Sequence, residues 1–377
     1  MKQLAPGIHQ LTIQRFVNLY FVEAGDPGEW VLIDTGLPGS ADTIIAAANE
    51  LFYPNTHPQA ILLTHGHLDH AGSAQALADH WKVPIIAHPL ELPFLTGKAV
   101  YPPADPTVGG SLAFVSRFFP PQSFSLQDYV QELPDDATPP FMPGWEWRHV
   151  PGHAPGQVAF FRTEDRTLIG ADAFATAHHD SVPATMLQLP RLSRCGTPFT
   201  FDWEQARASV QELATLRPKA IGCGHGPVLQ DPNLPDQFAE FAANFPMPTH
   251  GRYVDSPART DANGVEYLPP APEDTLPRRA LLLTVGLVAA AGGLVWAGRR
   301  SSQSDKASPA PINKWVKSNG AKASPKTTRP TTTVGPEISR PTTTTPTGPI
   351  NEVHPEATRL PIDPQYLPRI PTDPKGE

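Results

Sequence analysis

One short cluster of metal-binding side chain types constrains this chain more than any other feature. Residues 61–64 (Ile-Leu-Leu-Thr) are predicted to form a buried strand, and the sequence then continues as His-Gly-His-Leu-Asp-His. The glycine lets the backbone turn tightly, so that the first two histidines can point the same way while the aspartate and third histidine face an adjacent position. This pattern predicts two neighbouring metal centres served by one loop, which contains His65, His67, Asp69 and His70.

Three further candidate ligands follow at wide spacing, each beside glycine or proline at the end of an apolar strand or in a turn. They are His153 in Pro-Gly-His-Ala-Pro-Gly, Asp172 in Leu-Ile-Gly-Ala-Asp, and His225 in Gly-Cys-Gly-His-Gly-Pro. Functional side chains on strand-end loops of a rigid scaffold have this arrangement. The alternative, a histidine-rich loop that binds no ion, explains one such residue but not the whole ordered set.

This ordered set resembles the metallo-β-lactamase-fold hydrolase superfamily, and in particular its glyoxalase II and lactonase-like branch. The resemblance covers roughly residues 8–230 and implies an α/β fold, a four-layer αββα sandwich with the metals at one edge of its two sheets. It also implies the ligand set: His65, His67 and His153 for the first metal, Asp69, His70 and His225 for the second, and Asp172 bridging both.

The same resemblance gives Asp34, in Leu-Ile-Asp-Thr-Gly, the role of an aspartate that supports the ligands without binding metal. An aspartate that merely caps a turn is the alternative. Imidazoles and carboxylates suit two divalent metal ions, with zinc expected and iron or manganese as alternatives. Two adjacent cations lower the pKa of a bridging water and so supply hydroxide as a nucleophile. Asp69 is the expected catalytic residue, which orients that hydroxide and takes up its proton.

The expected function is therefore a dinuclear hydrolase acting on a small-molecule ester, thioester or lactone. A diiron oxidoreductase is a second hypothesis, disfavoured because such relatives usually carry glutamate where His67 stands and because no flavin domain follows. A nuclease is a third. The formal net charge of -8 disfavours it, and no nucleic-acid partner is expected. A non-catalytic, membrane-tethered binding protein is the fourth, and the complete ligand set argues against it.

Composition divides the chain into successive segments. Residues 1–250 read as the catalytic domain, with a proline- and aromatic-rich, lid-like insert at 89–145 whose phenylalanines could line an apolar substrate pocket or only pack the lid. Residues 251–279 read as a linker and 280–298 as a transmembrane helix. Residues 299–377 read as a disordered tail, because the last 77 positions hold 14 of the 47 prolines and 12 threonines.

The 280–298 segment is an uncharged, apolar run with arginine pairs at both ends. As a helix with a rise of about 1.5 Å per residue, it reaches roughly 28 Å, close to the hydrocarbon thickness of a bilayer. A buried core helix is the alternative, but the charged and disordered flanks disfavour it. Small residues at helical spacing could support a dimer through the span, namely Gly286, Ala290, Gly293 and Ala297.

The orientation of this predicted single-pass protein is testable. The excess of basic residues after the span favours a cytoplasmic tail. That orientation, however, requires the preceding domain to cross the membrane, and residues 1–7 do not resemble an export signal. We therefore expect a cytoplasmic catalytic domain and an external tail. Protease added to intact cells should trim the tail and spare the domain, and the reverse cleavage pattern would contradict this orientation.

Overall fold

Two β-sheets lie at the centre of the computed structural model, which describes residues 1–52, 56–119, 122–178, 180, 184 and 187–271. The chain divides into two units, residues 1–296 and 297–377, and every described residue belongs to the first. Within that described part, no helix combines the length and apolar character needed to cross a bilayer. The predicted span at 280–298 and the predicted tail at 299–377 lie outside the described residues, so both stay predictions.

The first sheet has seven strands that follow one another in chain order. They are β1 (Lys2–Ala5), β2 (Ile8–Ile13), β3 (Val17–Glu23), β4 (Trp30–Ile33), β5 (Ile61–Leu62), β6 (Ile85–Ala87) and β7 (Val130–Glu132). Strands β1 to β4 form an antiparallel meander, whereas β4 to β7 run parallel to one another. The carboxyl ends of β4 to β7 therefore lie along the same edge of the sheet.

Nine further strands follow, namely β8 (Trp145–His149), β9 (Val158–Arg162), β10 (Thr167–Ile169), β11 (Ala175–Ala177), β12 (Pro190–Ser193), β13 (Ala220–Gly222), β14 (Leu229–Gln230), β15 (Arg259–Asp261) and β16 (Gly264–Tyr267). Five of them form the second sheet in the order β14-β13-β10-β9-β8. Within it, β10 runs parallel to β13 and antiparallel to β9. The pairs β11-β12 and β15-β16 form two small antiparallel sheets.

The described helices are α1 (Ala41–Leu51), α2 (Leu68–Ala71), α3 (Ala74–Trp81), α4 (Leu92–Leu95), α5 (Ser111–Ser116), α6 (Trp203–Thr215) and α7 (Leu234–Ala243). Two 3-10 turns lie at Pro89–Glu91 and Thr197–Phe199. Helix α1 buries Ile44, Ala47 and Ala48, a spacing that places them on one helical face. Helix α6 begins where the Asp202 carboxylate accepts a hydrogen bond from the Gln205 backbone N–H (2.9 Å).

Apolar side chains fill three layers of core, and alternation along the strands assigns each side chain to a layer. Along β9, Val158 and Phe160 pack between the two sheets, whereas Ala159 and Phe161 pack in a cluster with residues of α6 and α7. On the other side, Phe21 of β3 packs in a cluster with residues of α1 and α3. The contacts thus order the elements as helices, sheet, sheet, helices, and both faces of each sheet are buried.

The strand predicted at 61–64 corresponds to β5. The apolar runs at 18–22 and 30–33 form β3 and β4, and the stretches 40–51 and 73–81 contain α1 and α3. The segment 89–145 differs from the predicted lid-like insert, because it supplies α4, α5 and edge strand β7. Fully buried Phe94 and Leu95 belong to two different core clusters, so this segment is part of the domain body.

The predicted linker at 251–279 also starts too early. Tyr253 is 1% exposed and its hydroxyl donates a hydrogen bond to the Pro103 carbonyl oxygen (2.6 Å). The Ala258 N–H donates to the Phe201 carbonyl oxygen, and the hairpin β15-β16 follows. Composition does not predict this packing, because the stretch is polar and contains prolines. The two residues that attach it to the domain, Tyr253 and Ala258, are isolated in the sequence. The packed domain extends at least to residue 267.

Tyr253 offers a test of whether this extension stabilises the domain. We expect Tyr253→Ala to lower the free energy of unfolding by about 3 kcal/mol or more, because it removes a fully buried aromatic ring from the core. Tyr253→Phe, which removes only the hydrogen bond, should cost about 1 kcal/mol. Chemical denaturation of both variants measures the difference. Equal and small losses would show that residues 251–267 do not contribute to the core.

Candidate metal centre

Strand topology brings the candidate site residues to one edge of both sheets. In the first sheet, Asp34 follows β4 and the loop beginning at His65 follows β5. In the second sheet, Asp172 follows β10 and His225 follows β13, and these two strands are parallel. Strand β8 also runs parallel to β10, because each is antiparallel to β9, and His153 follows β8. All these side chains therefore emerge at carboxyl ends of strands, where loops carry functional groups.

Three buried histidines form the first group of donor atoms. His67 Nδ1 lies 3.0 Å from His65 Nε2 and 2.9 Å from His153 Nε2, so the three nitrogens converge. Burial lowers the pKa of all three imidazoles, that of His153 to about 4. They are therefore neutral at physiological pH, which is the form that binds a metal ion.

Asp69, His70 and His225 form the second group. Asp69 Oδ2 lies 3.4 Å from His225 Nε2 and 3.9 Å from His70 Nε2. Burial alone would lower the pKa of His225, but Asp172 and Asp69 outweigh it and raise that pKa to about 10. Burial likewise opposes ionisation of Asp69, yet His70 and His225 hold its pKa well below the usual range. The carboxylate is thus ionised and lies against both imidazoles.

The carboxylate of Asp172 lies between the two groups. Its Oδ2 atom is 3.6 Å from His153 Nε2 in the first group, and 3.6 Å from His70 Nε2 and 3.2 Å from His225 Nε2 in the second. Burial raises its pKa, but His225 and His70 lower it further, so the net value is well below the usual range. One ionised carboxylate therefore faces both sets of histidines.

Asp34 holds two of these histidines from outside the donor groups. Its buried carboxylate contacts His70 Nδ1 (2.8 Å) and accepts hydrogen bonds from the Thr64 N–H and hydroxyl. The Thr64 hydroxyl in turn lies 3.0 Å from His65 Nδ1. These contacts orient both rings so that their Nε2 atoms face the site, which is how supporting carboxylates position metal-binding histidines. The expectation that Asp34 supports the ligands agrees with this geometry.

His153 and His225 are held in the same way, His225 from the β2–β3 turn of the first sheet and His153 from the residue after the 3-10 turn Thr197–Phe199. His225 Nδ1 contacts the Phe16 carbonyl oxygen (2.6 Å), and His153 Nδ1 lies 3.4 Å from the Thr200 hydroxyl. Occupation of Nδ1 in each ring leaves Nε2 facing the site. The structure thus brings together all seven candidate ligands that the sequence singled out, with Asp34 beside them.

The donor groups fit two cations. His70 Nε2 and Asp172 Oδ1 are buried without a hydrogen-bond partner, although a buried polar atom normally has one. Neutral imidazoles and ionised carboxylates are also ligands for zinc, iron and manganese. The fold and these His/Asp groups therefore indicate a binuclear metal site, and they leave the identity of the metal open.

Sequence reasoning missed a buried glutamate that joins two ligand loops. Glu91 accepts a hydrogen bond from the Gly66 N–H through Oε2 (2.8 Å) and another from the Gly156 N–H through Oε1 (2.6 Å). The Tyr101 hydroxyl also donates a hydrogen bond to the Glu91 carboxylate. A Cβ atom at Gly66 would lie 2.5 Å from the Tyr101 oxygen, so only glycine permits this approach. Local sequence carries no signal for it, because the partners lie 25 and 65 positions away.

Glu91 should therefore act as a positioning residue. In Glu91→Gln, the amide nitrogen cannot accept a hydrogen bond from a backbone N–H, so one ligand loop loses its anchor. We expect metal affinity to fall about 10–100-fold, the range seen for supporting groups. Competition with a chelator measures this affinity. Glu132→Gln, an exposed change on β7, is the matched control and should leave it unchanged. Wild-type affinity in Glu91→Gln would contradict the role.

Comparison with known proteins identifies the family. A family model described as the metallo-beta-lactamase superfamily matches residues 12–225. The chain is 38% identical over 242 residues to the probable metallo-hydrolase YflN of Bacillus subtilis, which covers 64% of this chain and 91% of that protein. It is also 30% identical over 141 residues to the hydroxyacylglutathione hydrolase GloC of Haemophilus influenzae, covering 37% of this chain and 59% of that protein.

Solved structures give further matches. The crystal structure of TTHA1623 in a di-iron-bound form is 27% identical, with a TM-score of 0.42 over 59% of this chain and 94% of that one. The Rm3 metallo-beta-lactamase is 20% identical, with a TM-score of 0.46 over 64% of this chain and 90% of that one. The family model spans more than half of the chain, and its range includes all seven candidate ligands. The chain therefore belongs to the metallo-β-lactamase superfamily and is a metal-dependent hydrolase.

Proposed function

We propose that the protein is a dinuclear metal-dependent hydrolase of a small-molecule ester, thioester or lactone. The observation that carries this proposal is the position of Asp172, whose Oδ2 atom lies within 3.6 Å of histidines from both donor groups. A carboxylate in this position can bridge two ions. In the proposal, His65, His67 and His153 hold one ion, and Asp69, His70 and His225 hold the other.

Two adjacent cations, when bound, lower the pKa of a water molecule and polarise the substrate's carbonyl oxygen. The chain itself supplies a proton acceptor, for which Asp69 is the best placed carboxylate. Its side chain is 28% exposed, compared with 3% for Asp172, so Asp69 can reach both water and substrate. Asp69 Oδ2 can thus orient the attacking water, accept its proton and return that proton to the leaving oxygen or sulfur.

An aromatic surface beside the first group favours substrates with an apolar part. The rings of His67 and Phe199 have centroids 5.9 Å apart, and Phe119 stacks on Phe199 at 5.8 Å. Phe199 is half-buried and Phe119 is 43% exposed, so both rings remain accessible for contact with a ligand. This placement supports the first of the two roles that the sequence left open for the phenylalanines of residues 89–145.

The similarity to GloC supports an acyl-transfer reaction with water. GloC is named a hydroxyacylglutathione hydrolase, which describes cleavage of an acyl group from a thiol. A thioester, an ester and a lactone all present a carbonyl carbon with a leaving sulfur or oxygen. The proposed proton transfer through Asp69 serves each of them.

A hydrolysis screen combined with metal analysis tests the proposal. We expect the full-length protein, expressed with ample zinc, iron and manganese, to contain about two ions per chain and to hydrolyse at least one of the three classes. Asp69→Asn should lower kcat about 10²–10⁴-fold, the usual contribution of a positioned acid or base. Asp42→Asn, an exposed change on α1, is the control and should retain full activity.

Metal content in ligand variants separates the two sites. His225→Ala should retain about one ion, because it removes a donor from the second group only, whereas Asp172→Ala should lower the occupancy of both. A wild-type protein without metal, or one with two ions and no activity on any of the three classes, would contradict the proposed function.

A further inference from the structure

A cysteine that belongs to none of the predicted ligands lies against the second donor group. Cys195 follows β12 and precedes the 3-10 turn Thr197–Phe199, and it is 3% exposed. Its Sγ atom, a carboxylate oxygen of Asp172 and a ring nitrogen of His225 all lie within 4.8 Å of one another. The thiol also interacts directly with the Asp172 carboxylate. A soft sulfur donor thus faces the same space as the proposed ligands of the second ion.

The backbone around Cys195 is fixed against the metal site. A Cβ atom at Gly196 would lie 2.3 Å from the His153 ring, and this glycine has a positive φ of 50°. The Thr200 hydroxyl lies 3.3 Å from the Cys195 carbonyl oxygen and 3.4 Å from His153 Nδ1. These contacts hold Cys195 in position through the same residues that support a ligand of the first group.

A second observation points to a ligand within the second donor group, next to which Cys195 lies. His70 is fully buried and its Nε2 atom has no hydrogen-bond partner. That atom faces Asp172 Oδ2 at 3.6 Å and Asp69 Oδ2 at 3.9 Å, because Asp34 occupies Nδ1 on the other side of the ring. An unsatisfied nitrogen thus faces two ionised carboxylates, and one of them, Asp172, also lies against the Cys195 thiol.

We infer that Cys195 is an additional thiolate ligand of the second metal site and gives that site a preference for thiophilic ions. The inference rests on the proposed dinuclear function and adds a fifth protein donor to Asp69, His70, Asp172 and His225. On coordination, the thiol releases its proton to solvent and the sulfur binds the ion. Thiolate favours zinc, cobalt or cadmium, whereas a site of carboxylates and imidazoles alone also suits manganese.

The other cysteine provides a matched control. The full chain contains two cysteines, and Cys223 is also fully buried. It packs within the apolar cluster of the second sheet, and among the described residues it belongs to none of the candidate metal-binding groups. Its carbonyl oxygen, not its thiol, is fixed by Asn18 and Tyr20. Substitution of Cys223 thus removes a buried thiol without removing the proposed ligand.

Cobalt substitution tests the inference on the full-length protein. The metal is removed with a chelator, Co²⁺ is added, and its uptake is followed by elemental analysis and by visible ligand-field absorption. We expect a near-ultraviolet thiolate-to-cobalt charge-transfer band in the wild type and in Cys223→Ala. The band should be absent in Cys195→Ser and Cys195→Ala. If both Cys195 variants fail to fold, the band in Cys223→Ala still identifies Cys195 as the source of the thiolate, because Cys195 is then the one cysteine left in the chain.

A binding measurement gives a second readout. Loss of a supporting group costs about 10–100-fold in metal affinity, so loss of a ligand should lower the Cd²⁺ affinity of one site by at least about tenfold in Cys195→Ser. Affinity for Mn²⁺ should change less. If cobalt binds without producing the charge-transfer band, or if the band persists in Cys195→Ala, then Cys195 is not a ligand, and the proposed dinuclear function is unaffected. A wild-type protein that binds no cobalt would overturn the proposed dinuclear function together with this inference.

Discussion

The geometry of the metal centre depends on the hydrogen bonds that the buried Asp34 carboxylate makes with Thr64 and His70. Asp34 is 2% exposed, and hydrogen bonds from Thr64 and His70 replace the water that it loses on folding. Removing one partner would leave a buried charge uncompensated, which costs several kcal/mol. Because Thr64 also contacts His65, one carboxylate orients one histidine in each donor group. Protein contacts at Nδ1 thus hold both rings, and part of the entropy of ordering them is lost during folding.

Glu91 has the equivalent role for the backbone of the ligand loops. Asp34 fixes side chains, whereas Glu91 fixes the N–H groups of Gly66 and Gly156, one in each of two loops. Burial raises the pKa of this carboxyl, although hydrogen bonds from Tyr101 and both glycines oppose the effect. Both carboxylates thus stay inside the protein only because several donors converge on each. The close approach of Glu91 and Tyr101 also explains why glycine stands at positions 66 and 156.

Sequence patterns predicted what is local and missed what depends on distant contacts. The ligands between His65 and His70 could be predicted because they are close together in the sequence. His153, Asp172 and His225 could be predicted because each lies beside glycine or proline at the end of an apolar strand or in a turn. Glu91 has no neighbouring metal-binding side chain in the sequence, so nothing local marks it. Cys195 precedes a glycine, as His225 does, but it belongs to no motif of the ordered ligand set. Strand β7 was missed because it is short and exposed at the sheet edge, so that it lacks the apolar run of a buried strand.

The distribution of the donors over two sheets couples metal binding to the fold. His65 and His67 belong to the loop after β5 in the first sheet, whereas His153 belongs to the loop after β8 in the second. The second donor group is divided in the same way, with His70 from the first sheet and His225 from the second. In the proposed ligand set, each ion would therefore link the two sheets at the edge where their apolar interface ends. Because an unfolded chain offers no such preformed site, the free energy of metal binding adds to that of folding.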